Sequence, residues 1–507
     1  MTKTTLFSAL LTLGLSTAAV PPCLGAEDGG LAESGFEVAE GFRIEKIYSV
    51  PKETEGSWVS LAADDAGGLI ASDQGDKGLY RITFDENGRP QTTKLPVDLS
   101  SAQGLLWRNG ELFVSVTGQG MFRATDSDGD GLPDRKELLS AYFGRGEHGN
   151  HALIDTEDGT GDLYAVSGNM TPLPDAETIE RRRLRSSAED LLLPRQWDPR
   201  GHAAGLMAPG GWITRFNVQT GVHELHCAGF RNEYDAALNE HGDLFAFDAD
   251  MEWDLGLPWY RPTRICHAVS GADFGWRSGA GKWKPYYEDS LPPVVDVGPA
   301  SPTGVASGRG AKYPVKYQRA IYALDWTYGR ILAIHLTPDG ASYTGMVESF
   351  AAGPAFPVTD AVIGSDGAMY VTTGGRGAQS DLFRISYIGD ESTAPAPPTK
   401  PTPAALTRKM LEKFHGMTES DAVATAWPYL SDEDRFIRHA ARVAIESQPV
   451  DEWAEKALTE PNPQARIAAA VALARVGSPD LRDALIASLN ELPAAELPEM
   501  QRLGLLR

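Results

Sequence analysis

One pattern keeps returning along this chain, and it limits the fold more than any single motif does. Between Phe42 and about Tyr387 a small or polar residue leads into a few apolar positions, a Gly, Asp or Asn turn, and a second apolar strand. The unit runs from Trp58-Val59-Ser60-Leu61 to Gly68-Leu69-Ile70-Ala71, from Gln103-Gly104-Leu105-Leu106 to Leu112-Phe113-Val114, and from His151-Ala152-Leu153-Ile154 to Leu163-Tyr164-Ala165-Val166. It returns from Tyr234-Asp235-Ala236-Ala237 to Leu244-Phe245-Ala246, from Pro302-Thr303-Gly304-Val305 to Ile321-Tyr322-Ala323, and from Asp360-Ala361-Val362-Ile363 to Met369-Tyr370-Val371. That makes roughly six units at the forty-odd-residue spacing of a four-stranded blade, or longer where insertions intervene. A single blade cannot bury both of its faces, whereas blades packed radially cover every face and leave only short edges. The expectation is a mainly β protein, a six-bladed β-propeller over residues 36–390. Its last strand, Asp381-Leu382-Phe383-Arg384-Ile385, pairs with Phe42-Arg43-Ile44-Glu45 to close the ring.

The flanks read differently. Met1 to Ala26 has one Lys, an apolar run from Leu6 to Val20 and small residues at Gly25-Ala26, the pattern of an export signal cleaved after Ala26. This predicts a periplasmic or cell-surface protein. After the repeats comes a Pro-rich extended linker, residues 391–404, and then Ala/Leu/Arg/Glu-rich sequence over 405–507. Arg435-Phe436-Ile437-Arg438-His439-Ala440-Ala441 is echoed by Pro463-Gln464-Ala465-Arg466-Ile467-Ala468-Ala469. Such an echo predicts a small α-helical HEAT-like domain able to hold a protein partner. The chain reaches Leu505-Leu506-Arg507 without a polar capping repeat, so a truncated product or a ragged solenoid end is expected.

A net charge of -23 excludes nucleic acid as a partner, because such binding draws on Lys and Arg neutralising phosphates. Removing the signal leaves Cys227 and Cys266, which suit either a disulfide or two buried thiols. There is no Cys-x-x-Cys-His, hence no covalent haem site in this chain.

Three segments can carry chemistry. Asp126-Ser127-Asp128-Gly129-Asp130-Gly131-Leu132-Pro133-Asp134-Arg135-Lys136-Glu137 meets every ligand position of a twelve-residue calcium loop. Asp126, Asp128 and Asp130 supply carboxylates, Leu132 its carbonyl, Asp134 the ninth position and Glu137 a bidentate group. The loop follows a strand, so a structural ion between the second and third blades is expected. Gly146-Glu147-His148-Gly149-Asn150-His151 places two imidazoles on a rim turn, suited to general-base work or to metal binding. Gly229-Phe230-Arg231-Asn232 and, later, Gly271-Ala272-Asp273-Phe274-Gly275-Trp276 flank the fourth blade. The long interval from Pro172 to Pro209 is read as rim loop, with Arg181-Arg182-Arg183-Leu184-Arg185 a solvated helix face.

The Gly-x-Arg-Asn and Asp-Phe-Gly-Trp segments resemble those of the glucose/sorbosone dehydrogenases, six-bladed propellers that oxidise sugars with pyrroloquinoline quinone. The match is closer to the multidomain membrane-bound dehydrogenase type of planctomycete-like bacteria. That group shares the Asp loop, the Gly-Glu-His-Gly-x-His turn, Met251-Glu252-Trp253-Asp254, Ser301-Pro302-Thr303-Gly304 and Thr373-Gly374-Gly375-Arg376-Gly377. The resemblance implies His151 or His148 as catalytic base, and Arg231 with Asn232 on the quinone. His202 and Arg376 are expected on rim turns that converge on the same funnel. It also implies a sugar or alcohol substrate, calcium, and a separate electron acceptor, since the family's C-terminal cytochrome module has no counterpart here. Asn169 stands where the sugar oxidases carry an Asp that orients the His. The competing expectation is a non-catalytic module holding a glycan or a protein.

Overall fold

The computed structural model describes residues 35–175, 177–191, 193–249 and 261–507. The expected signal sequence and the Met251–Asp254 motif lie outside these residues. The described chain forms six β-sheets arranged as the blades of a propeller, followed by helices.

Each blade begins where the sequence unit begins. Trp58–Ala63, Leu69–Asp73, Leu79–Phe84 and Pro90–Lys94 make the first. Ala102–Arg108, Glu111–Val116, Gly120–Thr125 and Arg135–Ser140 make the second. The third to fifth open with Asn150–Asp155, Ala236–Leu238 and Pro302–Ser307. In the sixth, Val358–Ile363, Met369–Thr373 and Asp381–Tyr387 are completed by Phe42–Ser49, with Ile44 opposite Ile385 as expected. Phe42 locks this closure, for it is fully buried with Tyr313, Tyr317 and Phe350 edge-on at 4.8 Å.

Second strands such as Leu69–Asp73, Leu244–Asp248 and Met369–Thr373 are buried along their whole length, because a neighbouring blade covers each face. The core is therefore six wedges instead of one mass. Ile70 and Leu79 meet Leu105 and Leu112, Phe113 and Met121 meet Leu153 and Trp212, and Val166 and Ile213 meet Leu238 and Leu244. The other seams join Phe245 to Ile321, Tyr322 to Val371, and Tyr370 to Trp58. Turns inside the blades follow one recipe. Asp64, Asn239 and Asp366 each accept backbone N–H groups ahead of them, and Gly67, Gly242 and Gly367 take positive φ, where a side chain would be strained.

Two expectations change, and the choice left open for the cysteines is resolved. The Asp126–Glu137 loop lies within the second blade, as the turn joining strands whose register pairs Thr125 with Arg135, and not between blades. The Arg181 run is not a helix face: Ile179–Arg182 is a fifth strand, parallel to Val222–Phe230, because the insertion doubles back along the third blade. Cys227 and Cys266 are free thiols in one apolar seam, where burial pushes both up, Cys266 to about 12.

The two echoed segments are helices Arg435–Glu446 and Pro463–Val476, capped by Asp434 and Asn462. They and Pro403–Leu411 pack against the outside of the third and fourth blades. Arg408 bonds Asp243 at 2.7 Å, Arg475 and Arg507 bond Asp289, and His415 sits between Ser270 and the Ala440 carbonyl. The Pro-rich linker is laid along the propeller, with Gln318 donating to the Ala394 carbonyl and Arg319 to that of Pro397.

Candidate functional site

A cleft of about 360 Å³ opens at the end of the ring where the innermost strands begin. Rim turns from several blades build it, which is why its residues are far apart in sequence.

His148 ends the short turn Gly146–His148, just before the third blade's first strand. Its Nδ1 lies 2.6 Å from Asn169 Oδ1. An amide oxygen only accepts, so this contact puts the proton on Nδ1 and leaves Nε2 a lone pair. Asn169 is itself fixed, its N–H donating to the Arg231 carbonyl at 3.0 Å. Gly168 permits this approach, since a Cβ there would stand 2.2 Å from Asn232 Oδ1.

The sequence left two histidines open as the base, and the structure separates them. His151 is the second residue of the strand, so it faces inward and is fully buried. It donates through Nε2 to Asn232 Oδ1 at 2.8 Å and lies 4.3 Å from the Tyr234 ring. Burial pulls it down to about 4 against the weaker opposing pull of Asn232. His148 lines the cleft and His151 does not.

Arg231 and Asn232 follow strand Val222–Phe230, and both backbone N–H groups donate to Asp248 Oδ1. Asp248 is a buried hub that also binds Arg264 and Lys282. Burial alone would raise its carboxyl, but Lys282 and Arg264 hold it below the ordinary value. Asn232 also donates to the Glu147 carbonyl, tying the Arg-Asn turn to the His turn. His202 comes from the long insertion, where Asp198 caps its loop. Its Nε2 lies 3.0 Å from Arg231 Nη2, and its ring meets His148 edge-on at 5.4 Å.

Arg376 reaches the cleft from the opposite side, on the Gly-rich turn after Met369–Thr373. Its N–H donates to Gln74 Oε1 at 2.5 Å, and its guanidinium lies over the Trp326 ring at 4.9 Å. It also makes a two-pronged ion pair with Glu147 across the mouth. His148, Arg231, Asn232, His202 and Arg376 therefore share one cleft. Sequence reading missed Gln74, Gln103, Tyr234, Trp326 and Tyr328 on its walls. The Trp326-Thr327-Tyr328 turn after Ile321–Asp325 was the available signal, because two aromatic residues on a tight rim turn have no core to fill.

In the Asp loop, Asp126, Asp128 and Asp130 bring carboxylate oxygens within 4.8 Å of one another. Gly131 and Gly129 donate to Asp126 and hold it below its ordinary value. Asp134 is occupied by Ser127. Glu137 lies on a strand with its carboxylate on Arg123 at 2.6 Å, since no helical turn follows the loop to bring the twelfth residue back.

The fold and cleft together define a six-bladed propeller with an imidazole- and guanidinium-lined funnel at one end. No protein-family model matches the sequence, and no curated protein does. Solved structures do match. A carbohydrate-active enzyme of family AA12 from Trichoderma reesei is 13% identical, with 71% of this chain and 100% of that one aligned at a TM-score of 0.53. The quinone domain of pyranose dehydrogenase from Coprinopsis cinerea is 12% identical, covering 72% and 99% at a TM-score of 0.50. The quinone-bound aldose sugar dehydrogenase from Streptomyces coelicolor is 16% identical, covering 69% and 99% at 0.45. The first two establish a shared fold. Chemistry must come from the residues.

Proposed function

We propose that the cleft oxidises a sugar or similar alcohol, with pyrroloquinoline quinone as electron acceptor and His148 as general base. The observation that carries this reading is His148 at the cleft wall, its ring held through Nδ1 by Asn169 so that Nε2 is the basic nitrogen. The residues present fit a flat polyanionic quinone. Arg231 and Arg376 offer planar guanidinium donors for carboxylates, Asn232 and Gln74 line the same walls, and Trp326 and Tyr328 supply ring faces. When bound, such a quinone supplies the two-electron acceptor for hydride removed from carbon. His148 Nε2 accepts the hydroxyl proton, while Asn169 holds the ring's orientation. The Asn232–His151 bond keeps the Arg-Asn turn against the His turn. An amide in place of a carboxylate stabilises the resulting imidazolium less, so turnover is expected to be slow.

The rest of the reading is coarser in support. Calcium at Asp126, Asp128 and Asp130 would relieve their mutual repulsion and brace the second blade. Export after Ala26 would place the enzyme in the periplasm or at the cell surface, where a separate protein takes the electrons. The HEAT-like echo makes the exposed helix faces the surface for such a partner. The test is reconstitution of the full chain with pyrroloquinoline quinone and calcium, followed by dye reduction across a panel of sugars and alcohols. His148→Ala should bind quinone and fail to turn over, and Arg231→Ala should fail to bind. Absence of quinone binding in the wild type would leave a glycan- or protein-holding module as the better reading.

A further inference from the structure

A second cavity carries more cationic side chains than the cleft does. It lies at the seam between the propeller and helix Pro403–Leu411, with a volume of about 440 Å³. Arg181 and Arg183 come from the insertion, and Arg408, Lys409 and Lys413 from the helical region. The carboxylates facing them are Asp243, Glu412 and, behind the arginines, Glu224. Five cationic side chains thus meet three carboxylates, in a chain whose net charge is -23. The place is remote from the cleft, because Asp243 immediately precedes the strand Leu244–Asp248, whose far end, Asp248, holds Arg231.

Part of this charge is structural. Arg408 is spent on Asp243, Glu412 and the Ala341 carbonyl, and Arg183 on Glu224. Arg181 donates to the His415 and Lys413 carbonyls and sits 3.8 Å from Glu224. What remains unspent faces the cavity: among the described residues, neither the Lys413 ammonium nor the Tyr164 hydroxyl makes a hydrogen bond or ion pair. The neighbouring imidazoles register the positive field. His226 and His415 are driven down to about 3, chiefly by burial, with Arg183 adding to both.

We propose that this seam cavity binds an oxyanion carrying two or more charges, either free phosphate or sulfate or the ester group of a phosphorylated sugar. Lys413 faces it as an unspent cation and Tyr164 as a hydroxyl donor, while Arg181 and Arg183, already held by carbonyls and Glu224, line it and add their charge. Arg and Lys together suit such a group, since the planar fork and the point charge satisfy different oxygens. Binding bridges the third blade to the short turn Glu412–Phe414 that follows helix Pro403–Leu411, so the ligand also fastens the tail to the propeller.

Titration calorimetry on the full chain tests this with inorganic phosphate, inorganic sulfate and glucose 6-phosphate as probes. The wild type should take up one equivalent. Lys413→Gln, an exposed change, should weaken binding several-fold, and Lys413→Gln with Arg181→Gln by about tenfold or more. Anion-free melting curves show whether the variants remain folded. Tighter binding of glucose 6-phosphate than of phosphate identifies the sugar ester as the ligand; equal binding identifies the free anion. A cleft variant, Arg376→Gln, should bind as the wild type does. Silence with all three probes, undiminished binding in the double variant, or loss of binding in Arg376→Gln would each overturn the proposal.

Discussion

The Glu147–Arg376 ion pair makes the cleft's charge logic measurable. Arg376 is one of two guanidiniums that could receive a ligand carboxylate, and Glu147 already occupies it through both oxygens. Both side chains are more than half exposed, at 57% and 52%, so the pair itself is worth about 0–1 kcal/mol. A bound anion must displace Glu147 and then tolerate its charge nearby, which adds about 0.7 kcal/mol at 6 Å in water. Glu147→Gln removes both costs, about 0.7–1.7 kcal/mol together, a range that includes the roughly 1.4 kcal/mol of a tenfold gain in affinity. The backbone carbonyl that holds Asn232 is untouched by this change. The assay is titration with pyrroloquinoline quinone, followed by quenching of Trp fluorescence at low and high salt. Glu147→Gln should tighten binding about tenfold at low salt and less at high salt, where the charge is screened. Arg376→Gln should weaken it. If Glu147→Gln weakens binding, or neither change matters, Arg376 does not receive the ligand's charge.

The other predictions concern what holds the cleft in place. Arg408→Met removes one of the cations on buried Asp243, which keeps Lys409 at 3.1 Å and the Tyr343 hydroxyl at 2.7 Å, and should cost about 1.5–3 kcal/mol, read as a lower melting temperature and faster amide exchange in Pro403–Leu411. Phe42→Ala should cost about 3–5 kcal/mol by emptying the aromatic socket at the ring closure, and denaturant unfolding measures it. Acid should destabilise the protein steeply. His151 and His223 are held at about 4, and His226 and His415 at about 3, mainly by burial. Because these folded-state values lie below the unfolded value of about 6.5, their contribution is complete above that pH and is lost as pH falls toward 3–4. Melting temperatures between pH 7 and 4 should fall, and a flat profile would contradict the burial of these rings.

The propeller was legible because its determinants are local and repeated. A small or polar residue, a tight Gly, Asp or Asn turn and a largely apolar, buried second strand mark most blade starts regardless of what the blade contacts; the fifth blade instead joins its first two strands through helix Val315–Gln318. The ring closure was legible for the same reason, since Phe42–Glu45 and Asp381–Ile385 are complementary strands left over at the two ends. What the sequence concealed is how the insertions run. The basic run at Arg181 has strong charge and no apolar alternation, so only the parallel pairing with His223 and Leu225 reveals it as a strand. The choice between the two histidines stayed open at one step of resolution. His148 and His151 are three residues apart, and the choice turns on where the 3-10 turn ends and the strand begins, a boundary that pattern reading places only to within about 2–4 residues. Once that boundary is fixed, alternation decides the rest: His151 must point into the wedge between blades, and the turn residue before it must look out over the cleft. The same reasoning makes Asn169 the informative departure. It is legible as a single residue in the sequence, but its consequence is a 2.6 Å contact that sets which nitrogen of His148 carries the proton.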